Sequence, residues 1–271
     1  MILLLDIGNH TLHLGLARSH QPPATSHQPP ATGRIIWHQD LPAQSTALRF
    51  DRIPAFSPEE EITGAIIASV VPAFTSNFCD LFEKQFGVEP LVLSHRTRTG
   101  LRLHYAPKSS LGADRIANAA AAYYLYHKDA IVVDLGTATT LEVVTREGDF
   151  LGGAIMPGLG TMLNSLKFET AQLPKLEPSR LGNISHRRLL ATSTQSGIQS
   201  GIFAAHFAGI DRLTQGITKE IHRKFHIIAT GGLSRRFGRF IRNVSIINPL
   251  LTLQGLSIIF DLNNTTRRNN G

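Results

Sequence analysis

One motif written twice constrains this 271-residue chain more than any other feature: an apolar run that ends in Asp-x-Gly and turns back into a second apolar run. At residues 131–142 the sequence is Ile-Val-Val-Asp-Leu-Gly-Thr-Ala-Thr-Thr-Leu-Glu. Ile131, Val132 and Val133 carry the branched side chains that favour strands, Gly136 permits a turn, and Thr137, Thr139 and Thr140 line the return strand. Near the start, residues 2–5 run apolar into Asp6, Gly8 and Asn9 turn the chain, and Thr11, His13 and Gly15 alternate with Leu12, Leu14 and Leu16. Such a turn offers backbone N–H groups and hydroxyls to a phosphate, with a carboxylate beside it for a cation. Two of them, each opening one half of the chain, predict two related α/β lobes with a nucleotide between them.

Composition narrows the class. With 42% hydrophobic and 17% charged residues the chain reads as an ordinary globular protein with enough length to bury a core in each lobe. The apolar run after Met1 stops at Asp6, short of a signal peptide, and no stretch has the length of a membrane span. Cys79 is the sole cysteine, which excludes a disulfide framework and a cysteine metal site and points to a cytoplasmic address. The formal charge of +7 comes largely from scattered arginines, so a basic surface that attracts ATP and other small anions is expected rather than a dedicated nucleic-acid face.

The periodicity then predicts the remaining elements. Residues 19–32 are Ser-His-Gln-Pro-Pro-Ala-Thr twice over, a Pro-rich duplication that reads as an exposed loop insertion without chemistry. Strands are expected at 34–38, 65–69 and 91–93, and a helix at 73–86 with Phe74, Phe78, Leu81, Phe82 and Phe86 as its core stripe. A basic polar link covers 95–102, and Gly112-Ala113-Asp114-Arg115 opens an Ala-rich helix through Tyr126, putting Asp114 and Arg115 in its first turn and pointing out of the loop. Beyond the central hairpin the expectations are a strand at 150–156, a turn at Pro157-Gly158, and a helix at 161–168. A long helix at 195–224 follows, with Gly197 and Gly201 for close packing. A strand at 225–230 closes on Gly231-Gly232, where bare backbone suits a passing adenine or ribose. A helix at 233–240, a strand at 246–248, a last helix at 250–260 and a frayed polar tail at 263–271 complete the chain. The domain division this gives is 1–116, 117–262 and the tail.

No Gly-x-x-x-x-Gly-Lys-Ser/Thr, Gly-x-Gly-x-x-Gly, His-Glu-x-x-His or Gly-x-Ser-x-Gly is present, which removes the P-loop, dinucleotide, zinc-protease and esterase readings. What remains is Asp6-Ile-Gly-Asn9, Ser69-Val-Val-Pro72, Tyr105-Ala-Pro107, Gly112-Ala-Asp-Arg115, Asp134-Leu-Gly-Thr-Ala-Thr-Thr140, Gly152-Gly153, Pro157-Gly158, Thr170-Ala171 with Leu173-Pro174, Thr194 and Gly231-Gly232. In that order and spacing these pieces resemble the type III pantothenate kinases of the actin and hexokinase-like superfamily, along nearly the whole chain.

That resemblance implies two ribonuclease-H-like lobes, a homodimer, and ATP-dependent phosphorylation of pantothenate to 4′-phosphopantothenate on the way to coenzyme A. By the same analogy Asp6, Gly8, Asn9 and Thr11, with His10 in the turn, hold the ATP phosphates and their Mg²⁺, and Thr137 adds a phosphate contact. Asp134 holds a monovalent cation, K⁺ or ammonium; Tyr105, Gly112, Ala113, Arg115 and Thr194 bind pantothenate, and Asp114 is the base. The chemistry agrees with the analogy. An arginine fork pairs with the pantothenate carboxylate. One carboxylate orients the primary hydroxyl, and because phosphoryl transfer is loose, positioning and charge neutralisation carry most of the rate.

Two departures stand out. The family pattern has Thr or Ser directly after Asp6-Ile-Gly-Asn9, where this chain has His10, and Thr11 one place later would face the opposite side of a strand. The pattern's Asp is Glu142 here, which keeps the carboxylate with one more methylene. Two other readings compete: a kinase of the same superfamily for another small substrate, which Tyr105 and the 112–115 loop oppose, and a non-catalytic regulator or transcription accessory protein, which would show salt-sensitive DNA binding without ATP turnover.

Overall fold

The computed structural model describes residues 1–18, 35–42, 61–178, 181 and 189–267. The duplicated segment 19–32 lies outside the described residues.

β1 (Ile2–Ile7) and β2 (Thr11–Ala17) form the antiparallel hairpin that the first Asp-x-Gly predicts, with Ile7 opposite Leu12 and Ile2 opposite Ala17. β3 (Ile35–Pro42) extends it antiparallel along β2, while β4 (Gly64–Ser69) runs parallel to β1 and β5 (Leu91–Val92) parallel to β4. The order is β3-β2-β1-β4-β5. β1 lies at the centre, and a strand covered on both faces needs a continuous apolar run rather than alternation, which is what residues 2–5 supply.

One face packs on α1 (Pro72–Phe86), whose Phe78 and Phe82 stack at 5.7 Å and join Leu3, Leu5, Ile7 and Ile67 in one core. Leu81, expected in that stripe, is 50% exposed, so the buried face is narrower than the sequence spacing implies. Helices α2 (Ala113–Tyr126) and α6 (Leu251–Arg267) pack against each other, and α6 also meets β1 and β4. The alanines of α2 let the two backbones meet: a Cβ at Gly255 would stand 2.0 Å from the Ala117 carbonyl oxygen. Buried Thr252 donates a 2.8 Å hydrogen bond to Asn118 Oδ1 across the same contact.

The second hairpin repeats the plan. β7 (Ala130–Leu135) turns through Gly136 and Thr137 into β8 (Ala138–Val144), and β9 (Asp149–Pro157) follows. β10 (His226–Thr230) runs parallel to β7, and β11 (Val244–Ile247) parallel to β10. The order β9-β8-β7-β10-β11 is the order of the first sheet over again, each centred on the strand that ends in Asp-x-Gly. Ile131, Val133 and Leu135 pack with residues of α3 (Leu159–Phe168), α4 (Thr194–Ile221) and α5 (Ser234–Phe237). A short β6 (Arg102–Leu103) stands where a polar link was expected and pairs parallel with Asp149 and Phe150 at the start of β9.

The chain forms two compact units, Met1–His127 with Val144–Leu151 and Leu250–Gly271, and Lys128–Val143 with Gly152–Pro249. This differs from a division at 116 and 117 because α2 stays whole with the first unit and α6 returns to cover it. That return also corrects the frayed tail: α6 continues to Arg267, and Asn263 Nδ2 donates to the carbonyls of Ile259 and Arg98 at 2.8 Å. The helix expected at 233–240 is the single turn of α5 followed by a 3₁₀ turn at Gly238–Phe240. Among the described residues, no atom beyond the helix's own nearby backbone and the adjacent residues lies within 4 Å of a Cβ built at Gly197 or Gly201, the two positions expected to pack closely. No described helix is long and apolar enough to cross a membrane.

Candidate active site

In the first unit, the β1–β2 turn is closed by the Gly8 N–H donating to the Thr11 carbonyl at 2.9 Å. Asp6 is half-buried at the end of β1, opposite His13, and Asn9 and His10 stand exposed at the bend. His10 is a turn residue and Thr11 is the first residue of β2. His13 is engaged elsewhere, its Nδ1 lying 2.6 Å from Asp40 on the neighbouring strand.

Tyr105, Gly112, Ala113, Asp114 and Arg115 come together at the head of α2. Gly112 is its N-cap, with Ala113 the first helical residue. Gly112 was expected to let a ligand approach; instead its missing Cβ admits the Asp114 carboxylate, whose Oδ1 would lie 2.5 Å from that atom. The same Oδ1 accepts the Arg115 N–H at 2.8 Å, so the carboxylate is tied to the amides of the first turn. Arg115 does not point out of the loop. It is only 4% exposed, with Nη1 donating to the Tyr105 hydroxyl at 3.4 Å and the guanidinium carbon 5.6 Å from the Tyr105 ring and 5.8 Å from that of Phe150.

In the second unit, two glycine turns grip the β7–β8 hairpin. The Gly158 N–H and the Thr161 hydroxyl both donate to the Thr137 carbonyl, at 3.0 and 2.6 Å. A Cβ at Gly158 would meet the Gly136 and Thr137 carbonyl oxygens at 2.2 and 2.4 Å. On the other flank Gly231, at φ +87°, leaves room for Asp134: a Cβ there would be 2.2 Å from Asp134 Oδ1. Of the expected Gly-Gly surface, Gly231 is therefore filled by the chain itself, and only Gly232 has open space around it. Thr137 is exposed at the turn and Asp134 half-buried beneath it. Thr194, also exposed, is the first residue of α4 behind the N-cap Ser193, whose hydroxyl accepts the Ser196 N–H at 3.3 Å.

Sequence reasoning missed two groups. His206 on α4 is 1% exposed, with Nε2 3.4 Å from the Thr139 hydroxyl under the second hairpin, and burial pulls its pKa down to about 4, so it is neutral. It lies with Leu135, Thr139, Leu159, Phe207, Leu233 and Phe237, an apolar nest beneath all three turns. Nothing in the spacing of α4 separates this histidine from its polar neighbours. Asp149 takes Arg102 Nε and Nη2 at 2.7 Å each and His104 Nε2 at 2.8 Å, and these partners, Arg102 foremost, hold its carboxyl well below the usual range. The group staples β6 to β9 two residues before Tyr105.

Among the described residues no three His, Cys, Asp or Glu side chains gather into a cage. Asp134, set against bare glycine backbone, is a hard-oxygen position that fits a monovalent cation.

Two sheets of one order, each ending its central strand in an Asp-x-Gly turn, give the chain the actin and hexokinase-like ATPase fold. Two solved structures share the fold. A protein from Campylobacter jejuni described as a Baf family transcriptional activator aligns with TM-score 0.56 at 18% identity, over 97% of this chain and 99% of its own. The activator of 2-hydroxyisocaproyl-CoA dehydratase from Clostridium difficile, solved with ADPNP, aligns with TM-score 0.55 at 13% identity, over 100% of this chain and 97% of its own. The model of the type III pantothenate kinase family matches residues 2–216, and the type III pantothenate kinase of Moorella thermoacetica is 33% identical over 97% of this chain and 100% of its own length. The chain belongs to the type III pantothenate kinase family. Its substrates are ATP and pantothenate, and its reaction is a step of coenzyme A biosynthesis.

Proposed function

We propose that this reaction is divided among the chain's residues as follows. Asp6, Gly8, Asn9, His10 and Thr11 receive the ATP phosphates, and Asp6 would help hold the Mg²⁺ that comes with ATP; Thr137 contributes a further phosphate contact and Gly232 open backbone for the nucleoside. Asp134 would hold K⁺ or ammonium, whose charge would offset phosphate charge that Mg²⁺ leaves uncompensated. Arg115 takes the pantothenate carboxylate, and Tyr105, Gly112, Ala113 and Thr194 are the further residues assigned to that substrate. Asp114 accepts a hydrogen bond from the primary hydroxyl. That oxygen bonds to the γ-phosphorus as the bond to the ADP oxygen breaks, and the proton passes late to Asp114 and then to solvent.

The observation that carries this reading is the head of α2. A half-buried carboxylate and a buried guanidinium occupy adjacent positions, one fixed by a backbone N–H and the other by Tyr105. A hydroxyl-orienting group and a carboxylate-binding group one residue apart match a substrate with both functions. The proposal extends to a homodimer, on the family resemblance, and to a cytoplasmic address, on the lone Cys79. ADP release from the purified chain with ATP and Mg²⁺ tests it: release should require pantothenate, yield 4′-phosphopantothenate by mass, and need K⁺ or ammonium. Full rates in Na⁺ alone would remove the cation role from Asp134, and ATP turnover indifferent to pantothenate would overturn the substrate assignments.

A further inference from the structure

The guanidinium of Arg115 is flanked by two rings rather than one. Its carbon is 5.6 Å from the centre of Tyr105 and 5.8 Å from that of Phe150, and the two rings meet edge to face at 6.1 Å and 64°. Tyr105 belongs to the reading above; Phe150 has no polar group, and nothing in the sequence marks it as more than a strand residue. Its surroundings are unusually well fixed. Phe150 is completely buried, stands opposite Leu103 in the β6–β9 pair, and accepts the His104 N–H on its carbonyl at 3.0 Å. Next to it, Asp149 is held by both Arg102 and His104. The stapled strand pair thus carries Phe150, and Tyr105 follows two residues after the end of β6.

We propose that Phe150 is a positioning residue for pantothenate: its ring, with that of Tyr105, fixes the plane of the Arg115 guanidinium so that the donors of that plane meet the substrate carboxylate. The proposal rests on the assignment of Arg115 to the carboxylate. A guanidinium attracts a ring face electrostatically, and rings set around it leave its plane as the direction for hydrogen bonding, which is the geometry a bidentate carboxylate needs. An aliphatic side chain of similar volume fills the same space without that attraction. Fewer orientations of Arg115 then compete with the productive one, and the benefit appears in substrate binding rather than in the chemical step.

Phe150→Leu tests this in the full chain. The expected result is a KM for pantothenate raised about tenfold, with kcat and the KM for ATP each within about twofold, and no further rise when Phe150→Leu is added to Arg115→Lys. Equal rises in both backgrounds, or a fall in kcat with KM unchanged, would show that Phe150 only supports the fold. If Arg115→Lys raises the pantothenate KM and Phe150→Leu does not, the positioning role fails while the carboxylate assignment stands. If Arg115→Lys itself leaves that KM unchanged, the assignment beneath it fails. Phe150→Met, which keeps apolar volume without a ring, carries the same test should the leucine variant not fold.

Discussion

The two Asp-x-Gly turns share a sequence signature and a place in their sheets, yet they are held in different ways. The β1–β2 turn is nearly self-sufficient: it closes on its own Gly8 to Thr11 hydrogen bond, a Cβ at Gly8 would meet only the Thr11 carbonyl at 3.2 Å, and Asn9 and His10 project into solvent. The β7–β8 turn is gripped from outside by the Pro157-Gly158 and Gly231-Gly232 turns, each of which brings backbone or carboxylate closer than any Cβ allows. Substitutions in the first turn, where His10 stands exposed, are therefore expected to disturb the fold less than substitutions in the second.

The largest effect should follow from Gly158→Ala, because all three clashing atoms belong to the backbone carbonyls of Gly136 and Thr137 in the turn itself and none can rotate away. We expect a loss of about 3 kcal/mol or more, read by calorimetry as a Tm lower by roughly 10 °C; a Tm close to that of the parent chain would break the comparison at its stronger end. Next comes acid. The unfolded chain protonates His206 near its ordinary 6.5, whereas the folded chain refuses the proton until about 4. Stability from this group is therefore complete above pH 6.5 and falls as pH drops toward 4, by about 3 kcal/mol. Denaturant titrations of the parent and His206→Leu should diverge in that window, and parallel curves would show that the histidine titrates normally.

The first turn should respond less. Gly8→Ala asks the Thr11 carbonyl to move a few tenths of an ångström, and a cost of about 1 kcal/mol is expected; a loss as large as that of Gly158→Ala would make the two turns alike after all. Smallest in stability is His10→Ala, within about 0.5 kcal/mol of the parent because the side chain is exposed. If its ring donates to a phosphate, the KM for ATP rises and His10→Thr restores it. An unchanged KM would leave His10 as a bystander in the turn.

Much of this was readable from residues alone, and the reasons are local. Asp6-x-Gly8 and Asp134-x-Gly136 mark hairpins because the apolar runs before them suit buried strands and glycine permits the turn, whereas the shared order of the two sheets emerges only from the structure. Asp114 and Arg115 were found as neighbours at a helix start, and they are. The sequence could not show that Arg115 is buried, since its ring partner Phe150 is 35 residues away and reached only through the β6–β9 pairing. Nor could it show which glycines matter: Gly197 and Gly201 sit at helical spacing with no other described element within 4 Å of a Cβ built there, whereas Gly158 and Gly231 are decided by chain segments that arrive from elsewhere. The C-terminal helix was misjudged at its end because Asn263 looks like a tail residue until Arg98 is placed beside it.

Asp114 is the residue on which the proposed chemistry depends most directly. Asp114→Asn keeps the size and the hydrogen bond to the Arg115 N–H while removing the charge that receives the proton, so the fold and the ATP site should survive. The measurement is the rate of 4′-phosphopantothenate formation by this variant beside its ATP affinity by calorimetry. A rate lowered by about 10²-fold or more with ATP affinity unchanged is the predicted result; a rate within a few-fold of the parent would contradict the role given to the head of α2.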